Sequence, residues 1–162
     1  MQRRWVVTLF FALCATAASS LPAQQPVGDF YVFPRIDAST GEDRSSITTL
    51  AQESYVSGAG GLTLHCTEQG LELVVSSTYL GRAMSTTVRY AFGDEDPQAA
   101  SWRLRSSGMA AVAPADVLEE FLGRAVSEGS VVFSLSDFQL RRHTYTFYLG
   151  DLDSALSFLS CR

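Results

Sequence analysis

Hydrophobic and polar residues alternate along most of the chain beyond residue 28, and a period of two marks strands rather than helices. Phe30, Val32 and Ile36 follow this pattern between Asp29 and Ile36, with Pro34 favouring a sheet edge. Leu62, Leu64 and Cys66 share one strand face and Thr63 and His65 the other, so Cys66 points inward. The turn Glu68-Gln69-Gly70 leads into a second alternating run, Leu71, Leu73 and Val75 against Glu72, Val74 and Ser76, which predicts a hairpin. A third strand over residues 85–92 buries Val88, Tyr90 and Phe92 and stops at Gly93-Asp94-Glu95-Asp96-Pro97. Trp102-Arg103-Leu104 and residues 109–112 flank Ser106-Ser107-Gly108 as another short hairpin. Val131, Phe133 and Leu135 alternate in one later strand, and Tyr145, Phe147 and Leu149 in another. Residues 47–56 are ambiguous, being rich in Thr and Ser yet carrying Leu50, Tyr55 and Val56.

Two segments change period. After Pro114, which suits a first helical turn, Val117, Leu118, Phe121, Leu122, Ala125 and Val126 form one apolar stripe that Gly129 ends. Leu152, Ala155, Leu156 and Leu159 form a second stripe, with Asp151 as its expected cap. The fold class is therefore α+β: a mainly antiparallel β-sheet or sandwich, with one internal helix and a C-terminal helix at one side.

The opening of the chain follows a different logic. Arg3 and Arg4 precede an apolar run from Trp5 to Ala18 that is too short to span a bilayer, and the small residues up to Ala23 follow it. This order predicts a secretory signal over residues 1–23, then a flexible leader over 24–28 and a single β-rich domain over 29–162. The expected location is periplasmic or secreted, with no transmembrane segment in the mature chain.

Export gives the cysteines their meaning. Cys14 leaves with the signal, and the remaining pair, Cys66 and Cys161, reaches an oxidising compartment in an even number. A disulfide between them is expected, with a metal pair or a catalytic thiol as the alternatives. Closing a loop of that length contributes roughly 4.5 kcal/mol in the chain-entropy model. For an inward Cys66 to meet Cys161, the last helix must end or fray before Cys161.

Charge and residue types exclude several chemistries. The net charge of −5 becomes about −7 once Arg3 and Arg4 are removed, and the pairs Arg103 with Arg105 and Arg141 with Arg142 are too small a footprint for nucleic acid. Lysine is absent, which removes Schiff-base chemistry, Walker-type phosphate loops and the Ser-x-x-Lys nucleophile pair. The glycine run 58–61 precedes a strand, so it reads as a flexible turn rather than a phosphate cradle. His65 and His143 are expected on strand surfaces, with no nucleophile elbow to make a triad of them. Asp94-Glu95-Asp96 lacks the spaced ligands of a calcium loop, and Asp37, Glu42 and Asp43 read as loop polarity rather than a glycosidase pair. Trp102, Phe92, Tyr145, Phe147 and Tyr148 are mostly core by their alternation rather than a ligand platform. No catalytic, metal-binding or cofactor-binding residue is assigned.

The order of these features carries a resemblance. Leu62-x-Leu64-x-Cys66, Leu71-x-Leu73, Tyr79-Leu80, Val88-Arg89-Tyr90-x-Phe92, Trp102, Ser107-Gly108-Met109-Ala110, Phe121-Leu122, Phe147-x-Leu149-Gly150 and Ala155-Leu156-x-x-Leu159-x-Cys161 together resemble the VasI/TagO family of type VI secretion accessory proteins. The likeness spans most of the mature chain. It implies an exported accessory or interaction protein of the bacterial envelope rather than an enzyme, whose partner is another envelope or secretion-system protein. A small-ligand-binding periplasmic domain is the alternative, and an envelope hydrolase using His65, His143 and loop carboxylates a further one.

Overall fold

The structure is a computed structural model and describes residues 24–54 and 58–161. The expected signal segment lies outside the described residues, as do Tyr55 and Val56. Among the described residues the elements run β1 (Gln25–Val27), β2 (Phe30–Phe33), β3 (Ser46–Leu50), β4 (Glu53–Ser54), β5 (Gly61–Thr67), β6 (Gly70–Ser76), β7 (Ser85–Phe92), β8 (Gln98–Leu104), β9 (Ala110–Val112), α1 (Ala115–Glu128), β10 (Ser130–Ser136), β11 (Arg142–Tyr148) and α2 (Leu152–Leu156). The strands form one sheet in the order β1-β2-β3-β5-β6-β9-β8-β7-β10-β11-β4, and each ladder is antiparallel. This is the α+β, mainly antiparallel architecture that the alternation predicts.

The strand order implies closure. β3 and β4 are consecutive in the chain, yet one pairs β5 and the other pairs β11 at the far end of the sheet. The sheet therefore curls until β11 and β4 at one end meet β3 and β5 across residues 50–53, with β2 and β1 continuing beyond the seam. Ala51 N donates to Gly60 O at 2.9 Å, and the next amide, Gln52 N, donates to Thr146 O at 3.0 Å. Curling hides a sheet edge that would otherwise expose unpaired backbone.

One face of each strand except the short β1 and β4 fills the interior thus formed. Phe133 sits at its centre, with ring centroids 5.5 Å from Trp102, 6.1 Å from Phe147 and 6.4 Å from Tyr90. Phe92 continues the aromatic chain to Phe121 of α1 at 6.2 Å. The helix buries Val117, Phe121 and Ala125, while Val126, expected in the same stripe, is half exposed. Gly129 ends α1 in the left-handed conformation, as a glycine placed there allows.

α2 buries Leu152, Ala155 and Leu156 and stops at Leu156, so Cys161 is free of helical geometry and bonds to Cys66 across a Cα–Cα distance of 5.7 Å. The disulfide thus ties the C-terminus to β5, the second strand in from β2. Asp151, expected as the cap of α2, makes no side-chain cap bond.

Other expectations change for local reasons. Residues 25–27, expected to be part of a loose leader, form β1 and pair with β2 through a turn at Gly28, whose positive φ suits glycine. Ile36 leaves the strand after Pro34 and is 63% exposed, bridging Asp43 instead of joining the core. The glycine run is not simply a flexible turn: a Cβ on Gly60 would collide with the Tyr145 ring, so close packing requires that glycine.

Two outcomes check this account of the core. Replacing both Cys66 and Cys161 by serine lowers the unfolding free energy by up to about 4.5 kcal/mol in urea titrations. Phe133→Ala lowers it by about 3–5 kcal/mol, and a loss below 1 kcal/mol, on the order of a surface change, would contradict the central place given to that ring.

Candidate functional site

Side chains on the outer faces of β2, β3, β5, β6 and β9 point away from the core by the same alternation that fills it. They line an open groove of about 550 Å³ whose floor includes Phe33, Thr63, Val74 and Ala110. Register explains the assembly: His65 lies opposite Ser46 on one side and Glu72 on the other, and Thr63 lies opposite Val74. Arg35 and Arg44 reach the groove from the connection between β2 and β3, and Arg105 reaches it from the end of β8. Three guanidinium groups and one imidazole are its ionisable lining.

Their partners differ in a way that matters. Arg105 Nη2 donates to Glu72 Oε2 at 2.9 Å and lies 3.2 Å from His65 Nε2, while Arg103 Nη2 donates to Glu72 Oε1 at 3.3 Å. Because an arginine can only donate, His65 Nε2 accepts and its proton sits on Nδ1. Burial, and then the charge of Arg105, lower the His65 pKa, with Glu72 opposing them, so the imidazole is neutral at pH 7. Arg44 Nη2 is held by Glu68 at 2.6 Å and Glu42 at 2.8 Å. The Arg35 side chain has no carboxylate partner among the described residues, and Arg105 Nε is enclosed without an acceptor. Arg35 is therefore the cation of the groove with donors left for an anion, since Arg44 and Arg105 are engaged by carboxylates and the Arg105 Nε is closed off from the groove.

His143 occupies an unexpected place. Expected on a surface, it is 2% exposed, because it shares the inward face of β11 with Tyr145 and Phe147. Its Nε2 lies 3.0 Å from Asp137 Oδ2, and an ionised carboxylate can only accept, so Nε2 carries the proton. Nδ1 has no partner among the described residues. The hydroxyl in contact with the pair is Thr78 Oγ1, 3.5 Å from the same Nε2 that bonds Asp137, while the Ser77 hydroxyl is engaged with Tyr145 Oη at 2.7 Å.

The two histidines do not share a site: His65 faces out from β5 and His143 faces in from β11. Among the described residues no three His, Cys, Asp or Glu side chains gather as a metal site. Asp94 and Asp96 are exposed in their turn, and Glu95 pairs with Arg124 at 2.7 Å. Tyr148 is 42% exposed, whereas Trp102, Phe92, Tyr145 and Phe147 are core.

The early acidic loop does structural work. Asp37 accepts from Ser39 N, Ser39 Oγ and Thr40 N and closes its own turn. Asp43 accepts from Ser45 N at 2.7 Å and from Ser160 N and Oγ at 2.8 and 2.6 Å, beside the Cys66–Cys161 bond. Burial opposes ionisation of Asp43, but the hydrogen bonds from Ser160 and Ser45 outweigh it and hold the pKa at about 2. The same balance depresses Asp137 further: burial opposes, while bonds from His143, Arg141 and Gln139 prevail.

Against solved structures, the chain is similar to the crystal structure of invasion associated protein B from Bartonella henselae. The TM-score is 0.57 over 83% of this chain and 92% of that one, at 11% identity. Such a likeness establishes a shared fold. No family model matches the chain, and no curated protein matches its sequence.

The depressed carboxyls set an acid limit. Both aspartates have folded-state pKa values below the unfolded value near 3.9, so their contribution is complete above about pH 4. For Asp43 it disappears as the pH falls through about 2. Melting temperatures between neutral pH and this limit should fall across that window, and Asp43→Asn should flatten the fall. An unchanged slope in the variant would remove Asp43 from the explanation.

Proposed function

We propose that this chain is an exported, non-catalytic interaction module of the bacterial cell envelope, whose arginine-lined groove takes a carboxylate-rich segment of a partner protein. The observation that carries the proposal is the Arg35 guanidinium, which has no carboxylate partner among the described residues and lies over an apolar floor that Arg105 also borders. A guanidinium offers paired donors matched to a carboxylate, and an open groove on a rigid sheet suits an extended segment better than an enclosed small molecule. The intramolecular disulfide agrees with an oxidising compartment, and the fold is one that a bacterial invasion associated protein also adopts.

The finer form of the proposal makes the partner a component of a type VI secretion apparatus. It rests on the resemblance of the sequence to VasI/TagO accessory proteins. A periplasmic small-ligand binder is the second reading, favoured by the apolar floor beneath the arginines.

Fluorescence anisotropy with labelled hexaglutamate, and with hexaserine as the neutral control, tests the groove. Hexaglutamate should bind and weaken as salt rises through about 0.15 M. Arg35→Gln and Arg105→Gln should each weaken it about tenfold, the size of one charged hydrogen bond. Failure of hexaglutamate to bind at low salt, or affinity indifferent to both substitutions, would refute the groove as a carboxylate site.

A further inference from the structure

At the end of the curled sheet where β6 leaves, β7 starts and the β10–β11 hairpin turns, three loops come together. Tyr79 packs on Phe138 with centroids 5.5 Å apart, Leu80 N donates to Gly108 O at 2.7 Å, and Ser77 N donates to Met109 O at 2.9 Å. Leu104 N donates to Met84 O at 2.9 Å, and the β7–β10 register extended past Val88 and Leu135 sets Met84 level with the hairpin tip. On this rim Met84 is 88% exposed, Leu140 87%, Phe138 58% and Met109 51%. Isolated exposed apolar side chains are ordinary, but four on adjoining loop tips are not.

The rim is also rigidly built. Leu140 has φ of 62°, a left-handed conformation costly for a leucine. Asp137 enforces it from within the hairpin: its Oδ1 accepts from Gln139 N at 2.8 Å and Arg141 N at 2.9 Å, and its carbonyl accepts from Leu140 N at 2.9 Å. His143 and Arg141 Nε anchor the other carboxylate oxygen. A buried Asp-His pair thus spends its hydrogen bonds holding a strained loop that points Phe138 and Leu140 into solvent.

Charge distinguishes the rim from the remainder of an acidic protein. Its loops and hairpin ends carry Arg82, Arg141 and Arg142, while Arg105 turns to Glu72 at the groove, and their sole acid, Asp137, is 3% exposed and paired with Arg141 and His143. We infer that this rim is a membrane-docking tip, with Leu140, Met84 and Phe138 entering the surface of an anionic bilayer and Arg82 and Arg141 meeting its headgroups. Apolar tips supply area-proportional attraction, and each arginine near an anionic surface adds to it. The groove described above is lined by other residues, apart from Arg105 at its margin, so this surface stands or falls independently of the carboxylate proposal.

Vesicle co-sedimentation of the purified protein tests the inference. Phosphatidylcholine vesicles containing about 30% phosphatidylglycerol should retain the protein, and phosphatidylcholine alone should retain several-fold less. The double variant Leu140→Asn, Met84→Gln should lose about tenfold in partition. Asparagine tolerates the left-handed conformation and both positions are exposed, so an unchanged melting temperature is expected for that variant. Arg82→Gln should lose about fivefold on anionic vesicles and nothing on neutral ones. Wild-type protein left in the supernatant with both vesicles, or a double variant that sediments like wild type, would overturn the inference. So would a concentration-dependent dimer that the double variant dissolves, since the rim would then belong to a second copy.

Discussion

One extended run, residues 46–54, hydrogen-bonds to both sides of the sheet, and the molecule is organised around that closure. Through β3 it pairs with β5, and within a few residues, through Gln52 and β4, it pairs with β11. Closure gives every inward side chain the same interior, in which Phe133 of β10 meets Phe147 of the adjacent β11 and Trp102 of β8, one strand beyond β7. Gly60 permits the seam, because the Tyr145 ring lies where its side chain would be. The disulfide then fixes the chain end to β5, the strand beside the seam.

Two carboxylates, the half-buried Asp43 and the buried Asp137, act at the extremities of this interior. Asp43 joins the β2–β3 connection to the chain end, and Asp137 with His143 shapes the β10–β11 tip. Each carboxylate is satisfied by several donors, which offsets the cost of its removal from water. Both hold loop conformations, and the two surfaces proposed for recognition are the outer groove and the rim beyond the Asp-His pair. These two surfaces differ in character. The groove sets guanidinium groups over a shallow apolar floor, whereas the rim projects apolar tips with arginines beside them.

Strand positions were legible because period-two alternation survives wherever one face of a strand is buried. The runs from Leu62 to Cys66, Ser85 to Phe92 and Val131 to Leu135 appear in the structure as read, as does the helix opened by Pro114 and closed by Gly129. The same rule carried one signal that went unused. His143, Tyr145 and Phe147 are spaced by two, so a core Tyr145 already placed His143 inside. Residues 25–27 were illegible because a short edge strand needs a partner more than a pattern, and β2 supplied it.

Alternation and turn residues determined by themselves the fold class and the inward direction of Cys66, and the pair Cys66 and Cys161 made a disulfide the expectation that the structure then met. These are local properties: a side chain's face follows from its neighbours along the strand. Tertiary structure alone decided that the sheet curls onto itself, that Arg35, Arg44 and Arg105 converge on one groove, and that Met84, Met109, Phe138 and Leu140 share one rim. Each depends on strand order and register between segments far apart in the chain, and hydrophobic periodicity carries no information about which strand lies beside which.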